Sequence, residues 1–250
     1  TNVTTLTTSG NNNKAATSWA SGGAPSPPQF MPTVTSPFRD YSYAWTNDWN
    51  TRQCQRAAVE TPGSTYDDAA ATVNLFAMHN RMHDFSYYLG FTEQNWNAQS
   101  SNFRNTETWQ EGDPLIGDSQ SGLQSGSRDN ANMSTLPDGV SSITNMFMWQ
   151  PIAGSFYSPC VDGDYDQGVI GHEFGHMIEN RMIGKGSARS GFQAGAMGES
   201  AGDLVAAEYQ DENGYLPAGD SRRYATGVYA TGNKITGIRD YSLDGDMAGG

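Results

Sequence analysis

The hexapeptide GHEFGH, Gly171–His176, brings together residue types that bind and use a metal ion. On an α-helix, positions four apart lie on one face, so His172 and His176 can direct imidazole nitrogens at the same ion. Glu173 points to the side, where its carboxylate can reach a water beside that ion and act as a general base. The spacing predicts a zinc site with hydrolytic chemistry, although the same pattern also occurs by chance in ordinary helices.

Three neighbouring features favour a zinc site over a chance match. Gly171 and Gly175 lie inside the predicted helix, where glycine costs about 1 kcal/mol relative to alanine, so we expect a backbone or a substrate to come close there. Glu199 follows at a distance that suits a third ligand, and two His and one Glu leave a fourth position open, as in catalytic zinc sites. Asp203 lies one helical turn after Glu199, where it can accept the other ring N–H of a zinc histidine.

The elements that must position these residues follow from periodicity and turn signals. A long helix is predicted over residues 66–91, where apolar residues recur at helical spacing. The zinc helix is predicted to follow an acidic loop and to end at Gly184, and a second helix is predicted over residues 198–210. Short strands are predicted at residues 30–34, 130–135 and 142–149. We therefore expect an α+β fold, with a mixed or antiparallel sheet in the N-terminal half and the long helix and the zinc helix beneath a cleft.

Six segments are similar to one known family. They read AATVNLFAMHNRMHDFSYYLGFTE, DNANMSTLPDG, DGDYDQGVI, GVIGHEFGHMIENRMIGKG, GAMGESAGDLVAAEY and GIRDYSLD. Together they resemble the fungalysin family of secreted zinc metallopeptidases, whose catalytic core is thermolysin-like. The similarity covers about residues 66–245. It implies a thermolysin-like α+β core and cleavage of protein or peptide substrates, with a preference for hydrophobic residues after the cut.

The resemblance also implies a role for each site residue. Zinc would bind to His172, His176 and Glu199, with Glu173 as general base and proton shuttle and Asp203 as the hydrogen-bond partner of a ligand. Asn130, Ala131 and Asn132 would form the strand edge that pairs with an extended peptide.

The domain organisation is likewise an expectation from the resemblance. Residues 1–65 are expected to form an extended N-terminal arm and a β-rich part, and residues 66–250 the catalytic core, incomplete at its C-terminus. In the family, a further helical lobe is expected to supply a histidine that stabilises the oxyanion. None of the four histidines here is available for that role. Three alternatives stay open: an internally cleaved product, a partial chain, or a chain whose partner is a separate C-terminal fragment or chain.

Composition limits the partners and the compartment. The 250 residues carry a formal net charge of −13 with only 14 Lys and Arg, which argues against nucleic acid or an anionic membrane surface as a partner. The sequence has neither a starting Met nor a long apolar run, so a mature, secreted product is expected. The two cysteines, Cys54 and Cys160, predict one disulfide in an oxidising compartment, or alternatively two buried free thiols.

Two other groups could bind metal. His79 and His83 also stand four apart, but a buried or hydrogen-bonded pair is favoured over a second zinc site. Asp162, Asp164 and Asp166 are spaced like the start of an EF-hand, which is excluded because the sixth position is a glutamine where a glycine is required. A calcium site of another kind at these acids and simple capping of the zinc helix both stay open.

Two functions are consistent with these patterns. The first is a secreted zinc-dependent endopeptidase. The alternative is a secreted structural or binding module that keeps the peptidase core with weak catalysis or none.

Overall fold

The computed structural model describes residues 6–20, 30–35, 38–152, 159–186, 190–216 and 224–245. The helices are α1 (Asp48–Thr51), α2 (Asp68–Tyr88), α3 (Gln167–Gly184), α4 (Phe192–Glu212) and α5 (Val228–Thr231). The strands are β1 (Asn13–Thr17), β2 (Leu115–Ser119), β3 (Ala131–Ser134), β4 (Ile143–Met146), β5 (Met148–Trp149) and β6 (Val161–Asp162). The predicted α+β class is confirmed.

The main sheet has four strands in the order β1-β2-β4-β3. The β1/β2 and β2/β4 pairs are parallel, and β3 pairs antiparallel with β4, so the sheet is mixed. Among the described residues, β3 therefore lies at one edge of the sheet. The strands β5 and β6 form a separate antiparallel pair.

The strands differ from the sequence-based prediction in two places. The predicted strand at residues 30–34 makes only isolated bridges, while the sheet takes its first strand from the preceding segment, NKAAT. The predicted strand at residues 142–149 is divided into β4 and β5 at Phe147, whose carbonyl oxygen accepts a hydrogen bond from the backbone N–H of Gly163 at 3.1 Å. The chain thus leaves one sheet and enters the next at Phe147.

The main hydrophobic core lies where α2 packs between the sheet and α3. Its fully buried members include Leu75, Met82, Met146, Ile170 and Phe174. Burying a side chain of this size contributes about 1.5–3 kcal/mol, so this core holds α3 firmly against α2 and the sheet. Within the described ranges, no helix is both long enough and apolar enough to cross a bilayer.

Cys54 and Cys160 form a disulfide that joins the segment after α1 to the start of β6, across 106 residues of sequence. Of the two alternatives for the cysteines, the structure therefore shows the disulfide and not two free thiols.

We expect the double variant Cys54→Ser/Cys160→Ser to lose about 2–4 kcal/mol of unfolding free energy, because the open chain gains entropy in the unfolded state. Urea denaturation measures the loss, and dithiothreitol should lower the midpoint of the wild-type protein alone. Equal midpoints for the two proteins would show that the bridge does not contribute to stability.

Candidate metal centre

The helix that carries the candidate ligands is capped by an acid from the preceding loop. The carboxylate of Asp166 accepts a hydrogen bond from the backbone N–H of Val169 at 3.1 Å and another from Ala230 at 2.8 Å. Such a cap satisfies one of the free N–H groups of the first turn and places negative charge at the positive end of the helix. Asp166 therefore fixes the start of α3 and links it to α5.

Small residues bring α3 and α4 into close contact. A Cβ atom on Gly171 would lie 3.0 Å from the Cβ of Ala206, and one on Gly175 would lie 2.9 Å from the Cα of Gly202. A Cβ on Gly202 would lie 2.8 Å from Nδ1 of His172. The element that comes close to the glycines of GHEFGH is therefore the backbone of α4, and this contact carries the side chains of α4 to the histidines of α3.

Two imidazoles of α3 and one carboxylate of α4 converge on a small volume. The Nε2 atom of His172 lies 3.4 Å from Oε2 of Glu199, and Nε2 of His176 lies 3.5 Å from Oε1. Within the described residues this is the one group of three His, Cys, Asp or Glu side chains whose ligand atoms all lie within 4.8 Å of one another. Two nitrogens and one carboxylate oxygen form the donor set of a catalytic zinc site, with room for a fourth ligand.

Glu173 lies beside this group in a nearly closed environment, with 6% of its surface exposed. Burial raises the pKa of Glu173, the nearby carboxylates add to the shift, and His172 and Arg239 oppose it, with a net pKa of about 7. A carboxylate whose pKa lies near neutrality is suited to take a proton and release it again. The geometry thus places a buried carboxylate of this kind beside the three candidate ligands.

Asp203 and Arg239 form hydrogen bonds with two of the candidate ligands. Oδ1 of Asp203 lies 2.7 Å from Nδ1 of His172, and the Nε–H of Arg239 donates to Oδ2 of Asp203 at 2.8 Å. The Nη2 atom of Arg239 donates to Oε2 of Glu199 at 3.0 Å. Sequence reasoning did not single out Arg239, because its segment, GIRDYSLD, supported only the family resemblance and has no informative spacing from the other site residues.

The charges of the centre favour a cation. Hydrogen bonding to His172 lowers the pKa of Glu199 to about 2. Burial opposes ionisation of Asp203, but its bonds to His172 and Arg239 lower the pKa to about 2. Burial also works against a charged His172, yet Asp203 and Glu199 raise its pKa to about 9. Carboxylates that hold a proton on a buried imidazole will also stabilise a divalent ion at the same place.

Replacing Asp203 by asparagine should weaken zinc binding. The amide can present its NH₂ group to Nδ1 and so stabilise the wrong tautomer of His172, and losses of this kind typically weaken metal affinity about 10- to 100-fold. Competition with a chromophoric chelator measures the zinc Kd. Glu208→Gln, an exposed change on the same helix, should leave the Kd unchanged. An unaltered Kd in Asp203→Asn would show that the hydrogen bond to His172 does not tune the ligand.

The centre opens into a cleft of about 330 Å³. One wall is the edge strand β3 with the residue before it, and the other is formed by α3 and the segment around Arg239. The lining residues are Asn130, Ala131, Asn132, Met133, Trp149, Val169, His172, Glu173, His176, Glu199, Ile238 and Arg239. The structure thus brings residues 130–132 and the three candidate ligands to the same cleft.

His79 and His83 lie outside the cleft. His79 is fully buried on α2, packed against Phe174 and close to Gly117. His83 is buried one turn later, with its Nδ1 atom 3.2 Å from a carboxylate oxygen of Asp84. The structure therefore places the pair in the packing of α2, as sequence reasoning favoured.

The acidic loop before α3 is used for internal hydrogen bonds. Asp162 accepts from Gln120 at 2.6 Å and from the backbone of Asp164 at 2.9 Å, and Asp164 accepts from the backbone of Gln120 at 2.9 Å. Burial and the nearby Asp162 raise the pKa of Asp164 well above its usual range. Within the described ranges these acids do not form a three-ligand group of the kind found at the histidines, and Asp166 serves as the cap of α3. Capping therefore accounts for Asp166, and a calcium ion at these acids stays a prediction.

Comparison with known proteins supports one family. The model of the fungalysin metallopeptidase family (M36) matches residues 1–249. Extracellular metalloproteinase 1 of Phaeosphaeria nodorum is 32% identical over 247 residues, which are 96% of this chain and 34% of that protein. An extracellular metalloproteinase of Aspergillus flavus is 37% identical over 72% of this chain and 27% of that protein. The chain thus spans about a third or less of the length of these relatives.

Among solved structures, the precursor of protealysin, a metalloproteinase from Serratia proteamaculans, is similar with a TM-score of 0.39 and 16% identity, over 63% of this chain and 39% of that one. The family match rests on sequence and extends over nearly all of the 250 residues. The resemblance predicted from the six segments is confirmed, and the chain belongs to the fungalysin family of metallopeptidases.

Proposed function

We propose that this chain is the metal-binding part of a secreted zinc-dependent endopeptidase, with zinc held by His172, His176 and Glu199. The observation that carries the proposal is the convergence of both Nε2 atoms on the carboxylate of Glu199, next to a buried Glu173. When bound there, zinc supplies a Lewis acid that polarises a peptide carbonyl and makes a neighbouring water more acidic. Membership of a metallopeptidase family supports the same function.

Residues of the chain itself would transfer the proton and orient the metal ligands. The carboxylate of Glu173 takes the proton from the attacking water and passes it to the nitrogen of the leaving amine, which its raised pKa permits near neutral pH. Asp203 accepts the Nδ1–H of His172, so that the lone pair on Nε2 faces the metal. Arg239 balances the charge of two carboxylates and holds both in place.

The substrate we propose is an extended peptide that pairs with the edge of β3. The strand uses one side for β4 and lines the cleft with residues 130–133. A peptide added to that edge would gain backbone hydrogen bonds without regard to its sequence. Asn132 accepts a hydrogen bond from Asn145 at 2.8 Å, so its side chain steadies the strand from within the sheet.

The apolar residues of the cleft support a preference among substrates. Trp149, Val169 and Ile238 line it beside the candidate ligands. Such a surface gains free energy when it covers an apolar side chain of the bound peptide. We therefore propose hydrophobic residues next to the cleaved bond, with the residue after the cut as the first position to test.

The proposed location is extracellular. The disulfide between Cys54 and Cys160 requires an oxidising compartment. The relatives from Phaeosphaeria nodorum and Aspergillus flavus are both named extracellular metalloproteinases.

Zinc content and casein cleavage test the proposal. Purified protein should hold about one zinc ion per chain by mass spectrometry after dialysis, and 1,10-phenanthroline should stop cleavage until zinc is returned. His176→Ala should lose both the metal and the activity. Zinc binding without cleavage would support the alternative, a binding module that keeps the core. Absence of bound zinc would contradict both.

A further inference from the structure

One arginine near the C-terminal end of α3 is fully enclosed. The side chain of Arg181 has 0% exposure and pairs with Asp113, also at 0%, through Nη1 and Oδ2 at 2.7 Å. A buried guanidinium is tolerated only where most of its N–H groups find acceptors. The fold supplies these acceptors to Arg181 from two loops.

The first loop joins β3 to β4, over residues 135–142. Arg181 donates from Nε to the carbonyl oxygen of Leu136 at 3.1 Å and from Nη2 to that of Val140 at 2.9 Å. The same loop meets the end of α3 twice more. Asn180 donates to the hydroxyl of Thr135 at 3.3 Å, and a Cβ on Gly186 would lie 2.5 Å from the Cα of Pro137.

The second loop precedes β2. Arg181 donates from Nη1 to the carbonyl oxygens of Trp96 at 3.2 Å and Asn97 at 2.9 Å. Asp113 connects the two loops, because its Oδ2 atom also accepts from the backbone of Gly139 at 3.1 Å. The planar guanidinium thus joins α3, the β3–β4 loop and the loop before β2 through one buried group.

We infer that Arg181 is a positioning residue that sets the place of β3 relative to the metal ligands. This inference rests on the proposed function. The loop that Arg181 holds begins directly after Ser134, the last residue of β3, and the same helix carries His172 and His176. One side chain therefore fixes the substrate edge on one side of the cleft and the ligand helix on the other. Lysine cannot replace it, since an ammonium group has no fork to reach both loops.

Arg181→Lys tests the inference with two measurements. In hydrogen–deuterium exchange, residues 131–134 should exchange faster than in the wild type, while β2 stays protected. In peptide cleavage, kcat/KM for substrates long enough to extend along β3 should fall about 10- to 100-fold, mostly through KM, whereas a short substrate that hardly touches β3 should change little. Zinc content should stay the same. Leu123→Ala, a cavity in the separate cluster around Trp19, is the control for lost stability.

Gly186→Ala is the second variant if Arg181→Lys does not fold, because its methyl group would push Pro137 and the same loop without disturbing a buried charge. The inference is overturned if exchange in β3 is unchanged, if short and long substrates lose activity equally, or if Leu123→Ala gives the same pattern. If the wild-type protein cleaves no peptide, the proposed function fails, and hydrogen exchange in β3 still decides whether Arg181 holds the strand.

Discussion

Replacing Glu173 by glutamine is expected to lower kcat/KM for peptide cleavage by about 10²–10⁴-fold while zinc stays bound. Glutamine has nearly the same shape, so the packing of α3 should persist, but its amide cannot take up the proton of the attacking water. Because Glu173 is not one of the three converging ligands, the metal content should not change. Kinetics on a fluorogenic peptide and zinc analysis of the same sample provide the two measurements.

The control is Glu212→Gln, the same chemical change at an exposed position at the end of α4. It should cleave peptides at the wild-type rate. Loss of zinc together with activity in Glu173→Gln would give Glu173 a role in holding the metal centre. Activity close to wild type would remove it from the proton transfer altogether.

The sequence was most informative where the interaction is local. His172, Glu173 and His176 lie within two turns of one helix, so helical geometry alone predicts their relation to one another. Helix α2 is equally local: its apolar spacing predicted residues 66–91, and the helix runs from Asp68 to Tyr88. In both cases one periodic pattern, bounded by loop residues, contains the information that the fold uses.

The two arginines that organise the site could not be predicted in this way. Arg239 contacts Asp203 and Glu199, and Arg181 contacts Asp113 and two loops. Each partner lies far away in sequence, and a single arginine carries no periodicity. Their roles are tertiary, and only the packing of α3 against α4 and the loops reveals them.

Local sequence patterns also failed to predict a buried strand that has few large apolar residues and the exposed first turns of a helix. The first strand of the sheet reads NKAAT, with few large apolar side chains, although four of its five positions are buried. Helix α4 begins at Phe192, earlier than the predicted residue 198, because its first turns are mostly exposed and so lack an apolar stripe. A method that looks for apolar periodicity misses elements whose position is set by backbone pairing or helix propensity.

His79 should make the stability of the protein depend on pH. Its ring has 0% exposure, and burial lowers its pKa to about 3. In the unfolded chain the pKa is about 6.5, so below that pH the unfolded state binds a proton that the folded state does not. Above pH 6.5 neither state binds this proton, so His79 does not make the unfolding free energy depend on pH. Below pH 6.5 the unfolding free energy falls by about 1.4 kcal/mol per pH unit as the pH drops towards 3. His79→Leu, of similar volume, should remove this dependence.

Urea unfolding is measured at pH 7.5, 6.0 and 5.0, with a chelator present so that metal binding does not contribute. The series separates the pH dependence caused by His79 from a change in packing. The advantage of His79→Leu over the wild type should grow by about 1.4 kcal/mol for each pH unit below 6.5. The neighbouring Leu75 is fully buried on the same helix and carries no proton, so Leu75→Ala should lower stability equally at every pH. Parallel curves for the wild type and His79→Leu would mean that His79 takes up its proton alike in the folded and the unfolded state and does not cause acid sensitivity. Burial raises the pKa of the nearby helix residue Asp68 to about 6. That raised pKa stabilises the folded state as the pH falls, the opposite sign to His79, so the direction of the slope alone distinguishes the two groups.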